Sequence, residues 1–166
     1  MKRIFKALFA LMCISIAMPV MAQVSITKVD KIAPDDMVWM DMAVEAAKTN
    51  VKQGGEASGA VIILNGAFRS QGRANAEGTA ESNAFLKSRL NSLKNAKVYT
   101  INEPTTATYI LLSRLGAEEI VFVNGRDAVV KAGLATAEEY TDAFPADVKP
   151  SPIKSIEFPE ATNLLK

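Results

Sequence analysis

Few residue types in this 166-residue chain are able to carry chemistry. The chain has no histidine and a single cysteine, Cys13. Mechanisms that need an imidazole as base, proton shuttle or metal ligand are therefore excluded. Carboxylates, carbonyls and hydroxyls remain as ligands, and these suit hard ions such as Ca²⁺ or Mg²⁺. Because no EF-hand pattern is present either, we predict no metal site and no cofactor.

The sequence motifs of other common chemistries are missing as well. No G-x-G-x-x-G or P-loop spacing occurs, and no serine or threonine sits in a nucleophile elbow. A lysine nucleophile has no sequence signature and stays an open alternative. The 19 Lys and Arg residues nearly balance the 18 Asp and Glu residues. A net charge of +1 predicts no basic surface, so we expect no nucleic-acid partner.

The N-terminus has the pattern of an export signal. A basic start, Lys2 to Lys6, is followed by an apolar stretch over residues 7–20. Val20 and Ala22 then occupy the −3 and −1 positions of a cleavage site. The apolar stretch is shorter than the roughly 20 residues of a membrane-spanning helix. We predict that residues 1–22 are a cleaved secretory signal and that the protein is periplasmic or secreted, free of the membrane after cleavage; a retained anchor is the alternative.

The remaining chain is expected to form one domain. Without residues 1–22 it has 16 basic against 18 acidic residues and no cysteine, so disulfides are excluded. Residues 23–34 are expected to be a short, extended lead-in and residues 35–144 the folded domain. Residues 145–166 contain several prolines and are predicted to be an irregular tail.

Apolar periodicity and turn residues predict an alternation of helices and strands. Asp35 and Asp36 are candidate caps of the first helix, and Asn65-Gly66 is a strong hairpin turn. Thr136 and Glu139 have capping-box spacing before a predicted final helix. The predicted elements are a helix ending at Gly54-Gly55, strands at 59–64 and 67–72, a helix at 79–95, a strand at 98–101, a helix at 104–115, a strand at 120–123 and a short helix at 127–132. This order predicts an α/β protein, a three-layer α/β/α sandwich with a mixed central sheet.

Within this order, the run from Met40 to Gly125 resembles the cytidine deaminase-like superfamily, especially its guanine deaminase and tRNA adenosine deaminase branch. The matching segments are Asn50-x-x-x-Gly54-Gly55, the strand at 59–63, Gly72 with Asn75, Thr79-Ala80, Val98 to Thr100, Glu103-Pro104, and 115–123. The resemblance implies the cytidine deaminase-like fold. In that family a zinc ion held by His and two Cys activates water, and a glutamate moves protons, with the signature H-x-E…P-C-x-x-C.

At all four positions of that signature this chain has another residue. By position, the histidine is Glu81, the glutamate is Asn83, and the two cysteines are Thr105 and Thr108. Threonine hydroxyls do not ionise near neutral pH, and one carboxylate with two alcohols is a poor zinc site. The amide of Asn83 is unable to exchange a proton, which removes a contribution of about 10²–10⁴-fold in rate. The resemblance thus implies a degenerate deaminase with the zinc site lost.

A replacement for the metal is one hypothesis for these residues. The helices that begin near Glu81 and Thr105 should aim their N-termini at the metal position, which favours an anion there. We hypothesise that the Glu81 carboxylate is that anion and accepts hydrogen bonds from Thr105 and Thr108. The alternatives are a surface carboxylate for Glu81, a helix cap for Thr105 and an ordinary helix position for Thr108.

The other candidate ligand-binding residues also have structural alternatives. Asn75 resembles a substrate-contacting residue of the family, but asparagine is common in loops. Asn83 is either a ligand contact or a solvent-facing amide. Glu103 is expected to bond backbone at the strand end rather than to act as an acid.

These observations predict an exported deaminase-fold protein that has lost the zinc site and is non-catalytic. Its expected role is to bind a small molecule, of unknown identity, or another protein. Because the superfamily commonly self-associates through its helices, a homodimer is a further expectation. The enzyme alternative is a hydrolase or deaminase acting on a nucleobase or nucleoside through a rebuilt site without zinc.

Overall fold

One mixed sheet forms the centre of the protein in a computed structural model that describes residues 24–141 and 143–166. The predicted export signal, with Cys13, lies outside the described residues. The six strands are β1 Ile26–Val29, β2 Gly59–Leu64, β3 Ala67–Arg73, β4 Ala96–Thr100, β5 Glu119–Phe122 and β6 Ile153–Ile156, in the spatial order β1-β6-β5-β4-β2-β3. Strands β1, β6, β5 and β4 are mutually parallel, whereas β2 is antiparallel to both β4 and β3. The predicted mixed central sheet is confirmed.

Helices cover the two faces of this sheet. They are α1 Pro34–Lys52, α2 Ala80–Ser88, α3 Thr106–Arg114, α4 Arg126–Lys131 and α5 Pro159–Asn163. Side chains of α2 and α3 pack on one face of the sheet, and those of α1 and α5 pack on the other. The described chain is therefore the expected three-layer α/β/α sandwich.

Strand β2 shows how the sequence builds both layers at once. All but the last of its residues are buried, and the run is small or β-branched as expected for a strand covered on both faces. Ala60 and Ile62 belong to the core under α2 and α3, while Val61 and Ile63 belong to the core under α1. The twofold alternation of a strand divides its neighbours between the two faces.

Gly72 lets β3 approach α2 very closely. A Cβ atom at this position would lie 2.0 Å from the carbonyl oxygen of Ala80 and 2.3 Å from the amide nitrogen of Ala84. Only a residue without a side chain fits there. This contact fixes the position of the first turn of α2, which carries Glu81.

Buried charges connect the start of α1 to the sheet. Asp36 accepts hydrogen bonds from the Tyr99 hydroxyl at 2.6 Å and from Lys154 Nζ at 2.8 Å. Lys154 Nζ also lies 3.0 Å from a carboxylate oxygen of Glu119. Burial acts to raise the pKa of Asp36, but the hydrogen bonds from Lys154 and Tyr99 outweigh it and hold that pKa below its usual value. The group joins α1, β4, β5 and β6 through side chains.

Four local predictions are wrong. Residues 145–166 are not an irregular tail, because they contain β6, which pairs with β1 and β5, and α5. The helix predicted from Thr136 is a single 3₁₀ turn at Ala137–Glu139, although the capping box itself is present. Helix α2 ends at Ser88 instead of Asn95, since Arg89 adopts a left-handed conformation with φ of 56°. The cap of α1 is Ala33 followed by Pro34, rather than Asp35 or Asp36.

Across residues 24–141 and 143–166, no helix combines the length and the apolar character that a membrane span requires.

Candidate functional site

A cavity of about 320 Å³ lies where strands β4 and β5 end and helices α2 and α3 begin. In open α/β sheets, ligands commonly bind beyond the carboxyl ends of the strands, at a place such as this. Most of the sequence-predicted site residues line it, and the lining is polar with a few apolar side chains. Among the lining residues are Ser58, Asn75, Glu81, Asn102, Glu103, Thr105, Thr108, Val129, Leu134 and Tyr140.

Glu81 is buried in this cavity wall, in the first turn of α2. The residue is 4% exposed. Its Oε1 accepts a hydrogen bond of 2.5 Å from the hydroxyl of Thr100, the last residue of β4. Thr100 is itself fully buried. The hypothesis that Glu81 is turned inward is supported, but its hydroxyl partner is Thr100 rather than Thr105 or Thr108.

Thr105 and Thr108 form the start of α3. Thr105 is its N-cap, and its hydroxyl accepts from the Thr108 amide at 3.4 Å. The same hydroxyl donates to the Thr108 hydroxyl at 3.2 Å. The helix-cap interpretation of Thr105 is confirmed. Thr108 is a buried helix residue whose side chain is paired with the cap.

Asn83 does not line the cavity. Its Nδ2 donates to the carbonyl oxygens of Arg73 at 2.9 Å and Gly78 at 3.1 Å, and to Oδ1 of Asn75 at 3.1 Å. The same Asn75 oxygen accepts from the amides of Glu77 and Gly78. Asn83 is buried and lies outside this cavity, because its amide fastens the loop between β3 and α2. The Asn75 side chain belongs to both the loop and the cavity wall.

Glu103 connects the end of β4 to the start of α4. Its Oε2 accepts from the Arg126 amide at 2.8 Å, and its Oε1 accepts from Arg126 Nε at 3.1 Å. Gly125, the N-cap of α4, has no side chain to satisfy this amide, so Glu103 replaces the missing cap. The expected bonding of Glu103 to backbone is confirmed.

Tyr140 covers the cavity from the segment after α4. Its hydroxyl donates to the backbone carbonyl of Glu103 at 2.8 Å. The Arg126 guanidinium lies 5.7 Å from the centre of its ring, within range of a cation–π contact. Burial, together with the negative charges of Glu103 and Glu81, raises the pKa of Tyr140. Its hydroxyl is therefore a hydrogen-bond donor at neutral pH.

Several contributors were not predicted from the sequence. They are Thr100, Asn102, Asn124, Arg126 and Tyr140. The Asn102 side chain donates to the carbonyl of Ala57 at 2.9 Å and accepts from Asn124 Nδ2 at 3.1 Å. A polar residue at or just beyond the end of a buried strand is a usable signal for Thr100 and Asn102, whereas nothing in the sequence around Tyr140 predicts its contact.

A zinc ion, which the family resemblance implies, does not fit the residues at its ligand positions. Oε1 of Glu81 is occupied by Thr100, and the hydroxyls of Thr105 and Thr108 are neutral and cap a helix. Over the described part of the chain, no group of three or more His, Cys, Asp and Glu residues is arranged to hold a metal ion. The donor set thus offers one carboxylate and two alcohols, which does not make a zinc site.

Comparison by sequence finds no matching family model and no matching curated protein. Comparison by structure finds deaminases. A chain from a study of A-to-I editing by tRNA:A34 deaminases is 17% identical, with a TM-score of 0.55, over 72% of this chain and 97% of that chain. Guanine deaminase from Bacillus subtilis is 23% identical, with a TM-score of 0.56, over 66% and 83%. Guanine deaminase from Nitrosomonas europaea is 17% identical, with a TM-score of 0.56, over 82% and 85%.

These likenesses cover most of each deaminase. At identities below a quarter they establish the architecture and leave the activity open. This chain has the cytidine deaminase-like fold.

Proposed function

We propose that this protein is an exported, non-catalytic member of the deaminase fold whose cavity binds a small molecule. One observation carries the proposal. The residues at the four positions where the family has its chemistry make structural hydrogen bonds here, while a cavity of about 320 Å³ stays open beside them.

The proton-transfer position supports the absence of deaminase chemistry most directly. A general acid or base has to lie within hydrogen-bond reach of the reacting atom. Asn83 is outside the cavity lining, and its amide is engaged by three acceptors of the loop at residues 73–78. Both its chemical nature and its orientation argue against a role in proton transfer.

The cavity itself supports a binding role. Its volume is at the lower end of the roughly 300–1,000 Å³ that small-molecule sites occupy. Polar side chains that are hydrogen-bonded to the backbone line it, and Pro104, Val129 and Leu134 provide apolar contact. Such a combination of a few fixed polar groups with apolar walls is typical of sites for small organic ligands.

Export rests on the sequence pattern of residues 1–22, with its basic start, apolar stretch and small residues at −3 and −1. The proposal predicts that the protein recovered from an exporting host begins at Gln23. N-terminal sequencing of that protein tests cleavage directly, and a chain that still begins at Met1 would contradict it.

An enzyme with a rebuilt site is the second candidate, favoured by the two buried carboxylates, Glu81 and Glu103, that line the same cavity. Glu103 is tied to Arg126, which leaves Glu81 as the more available of the two. If this candidate holds, a panel of nucleobases and nucleosides should be turned over, and Glu81→Ala should abolish the turnover.

The test combines three measurements on the purified protein without a polyhistidine tag. We expect near-zero zinc by mass spectrometry, no release of ammonia from the nucleobase and nucleoside panel, and a rise in melting temperature with at least one member of a small-molecule library. Stoichiometric zinc or turnover would refute the non-catalytic part of the proposal. Failure of every library compound to stabilise the protein would refute the binding part.

A further inference from the structure

The charges that line the cavity are all negative. Four glutamates face it, Glu56, Glu77, Glu81 and Glu103, and its lining within the described chain has no lysine or arginine. Glu56 and Glu77 are exposed at the mouth, whereas Glu81 and Glu103 are buried in the wall. The interior and the entrance therefore favour positive charge and disfavour an anionic ligand such as a phosphate.

Of the two buried carboxylates, only Glu103 has a cationic partner. Arg126 donates to both of its oxygens, once from the backbone and once from the guanidinium. Glu81 accepts a single hydrogen bond among the described residues, from Thr100 to Oε1. Its Oε2 has no partner there. The Glu81 side chain lines the cavity, and Oε2 is not among the fully buried atoms that lack a partner, so this oxygen is accessible from the cavity and open to a ligand.

A carboxylate oxygen that faces a cavity accepts hydrogen bonds, and a cation that also donates hydrogen bonds makes the strongest pair with it. A metal ion would need several oxygen ligands converging on one point. Over residues 24–141 and 143–166 no acidic cluster has that arrangement. An organic ammonium or amidinium ion needs only one carboxylate and space beside it, which the cavity provides.

Resting on the proposed binding function, we propose that the cavity selects a small organic cation, of the amine or amidine class, which pairs with the free oxygen of Glu81. Asn102, Thr105 and Thr108 line the same cavity and offer oxygen acceptors for further N–H groups. Val129 and Leu134 contact the apolar part of such a ligand.

The test uses three probes of nearly the same shape and different charge: benzamidine, benzamide and benzoate. We expect benzamidine to raise the melting temperature of the untagged protein in proportion to its occupancy, with benzamide and benzoate having no effect at the same concentration. Isothermal titration should show benzamidine affinity falling about 10–100-fold in Glu81→Gln. Glu77→Gln removes an exposed mouth carboxylate and is the matched control, with an expected change of less than about threefold.

Each other outcome has a definite meaning. Unchanged benzamidine affinity in Glu81→Gln, or stabilisation by Ca²⁺ that this variant abolishes, would overturn the assignment of an organic cation to Glu81. Stabilisation by benzamide or benzoate but not by benzamidine would overturn the charge selection and leave the binding function standing. If no probe and no library compound stabilises the protein, both proposals fail. The three-probe comparison uses the unmodified protein, so it decides the charge question even where Glu81→Gln does not fold.

Discussion

Replacing Asn83 with aspartate tests whether this side chain stabilises the protein by donating hydrogen bonds to the loop before α2 or by interacting with the dipole of α2. The two residues have nearly the same shape, so packing is unchanged. As an amide, Asn83 donates to Arg73, Asn75 and Gly78 over distances of 2.9–3.1 Å. As a carboxylate, the side chain would face the same three oxygens with no hydrogen to offer.

The size of the effect follows from those contacts. Leaving a buried acceptor without its donor costs about 1–3 kcal/mol, and the residue is 8% exposed. A negative charge near the start of α2 recovers only about 0.3–1 kcal/mol from the helix dipole. We expect Asn83→Asp to lower the free energy of unfolding by about 1–2 kcal/mol. At about 3 °C per kcal/mol for a chain of this size, the melting temperature falls by about 3–6 °C.

Urea unfolding and thermal melts of the wild type, Asn83→Asp and Ser82→Asp measure this. Ser82→Asp places the same charge one residue earlier in the first turn of α2, and we expect its stability within about 1 kcal/mol of the wild type. Facing three oxygens raises the folded-state pKa of the introduced carboxyl, so the deficit of Asn83→Asp should shrink as pH falls through that raised pKa towards the ordinary Asp value of about 3.9. If Asn83→Asp is as stable as the wild type or more so, the helix dipole dominates. The side chain then does not support the loop.

Two further predictions concern the scaffold around the site. Gly72→Ala should destabilise the protein by about 3 kcal/mol or more, because its Cβ would lie 2.0 Å from the carbonyl oxygen of Ala80. In Gly125→Ala the nearest atom to the new Cβ is 3.7 Å away and φ is −69°, so this control should change stability by less than about 1 kcal/mol in urea unfolding. Burial acts to raise the pKa of Asp36, but the hydrogen bonds from Lys154 and Tyr99 hold it below the ordinary value of 3.8. The stability that ionised Asp36 contributes is therefore present above that pH and is lost as pH falls through the lower, folded-state pKa. Urea titrations from about pH 3 to 7 should therefore show a smaller acid-side loss of stability in Asp36→Asn than in the wild type, and equal losses would refute this assignment.

Elements with strong local signals were predicted well from the sequence. Helix α1 has a long apolar periodicity, and the hairpin of β2 and β3 turns at Asn65 and Gly66, both with positive φ. Strands β1 and β6 were not predicted as strands. Strand β6 has four residues in a proline-rich segment, and its pairing of Ile153 with Ile26 joins opposite ends of the chain. Such a pairing leaves no local pattern to detect.

The predicted helix after Thr136 failed for a different reason. Its capping box does form, with Glu139 accepting from the Thr136 amide at 2.8 Å. Tyr140 then leaves helical geometry, with φ of −110° and ψ of 78°, and its hydroxyl bonds to Glu103. A start signal of a few residues is outweighed by one tertiary contact, because short helices are only marginally stable on their own.

At the site, the sequence predicted the segments but not the partners. Asn75, Glu81, Glu103, Thr105 and Thr108 do meet at one cavity, as the resemblance to the deaminase superfamily implied. Which hydroxyl bonds to Glu81 depends on how far β4 extends beneath α2, and that distance is set by packing across the sheet. The Asn83 side chain points away from this cavity because it is hydrogen-bonded to the loop between β3 and α2.

The contacts of these residues also show how the starts of helices α2 and α3 are held. Each start is fastened separately. Helix α2 is held through the Glu81 bond to β4 and the Asn83 bonds to its preceding loop, and α3 is held by its own cap at Thr105. Among the described residues, no hydrogen bond joins the starts of α2 and α3 across the cavity. The cavity is therefore not part of the contacts that hold the two helices. A ligand is able to enter it without breaking a contact on which the fold relies, which is the condition that a binding function requires.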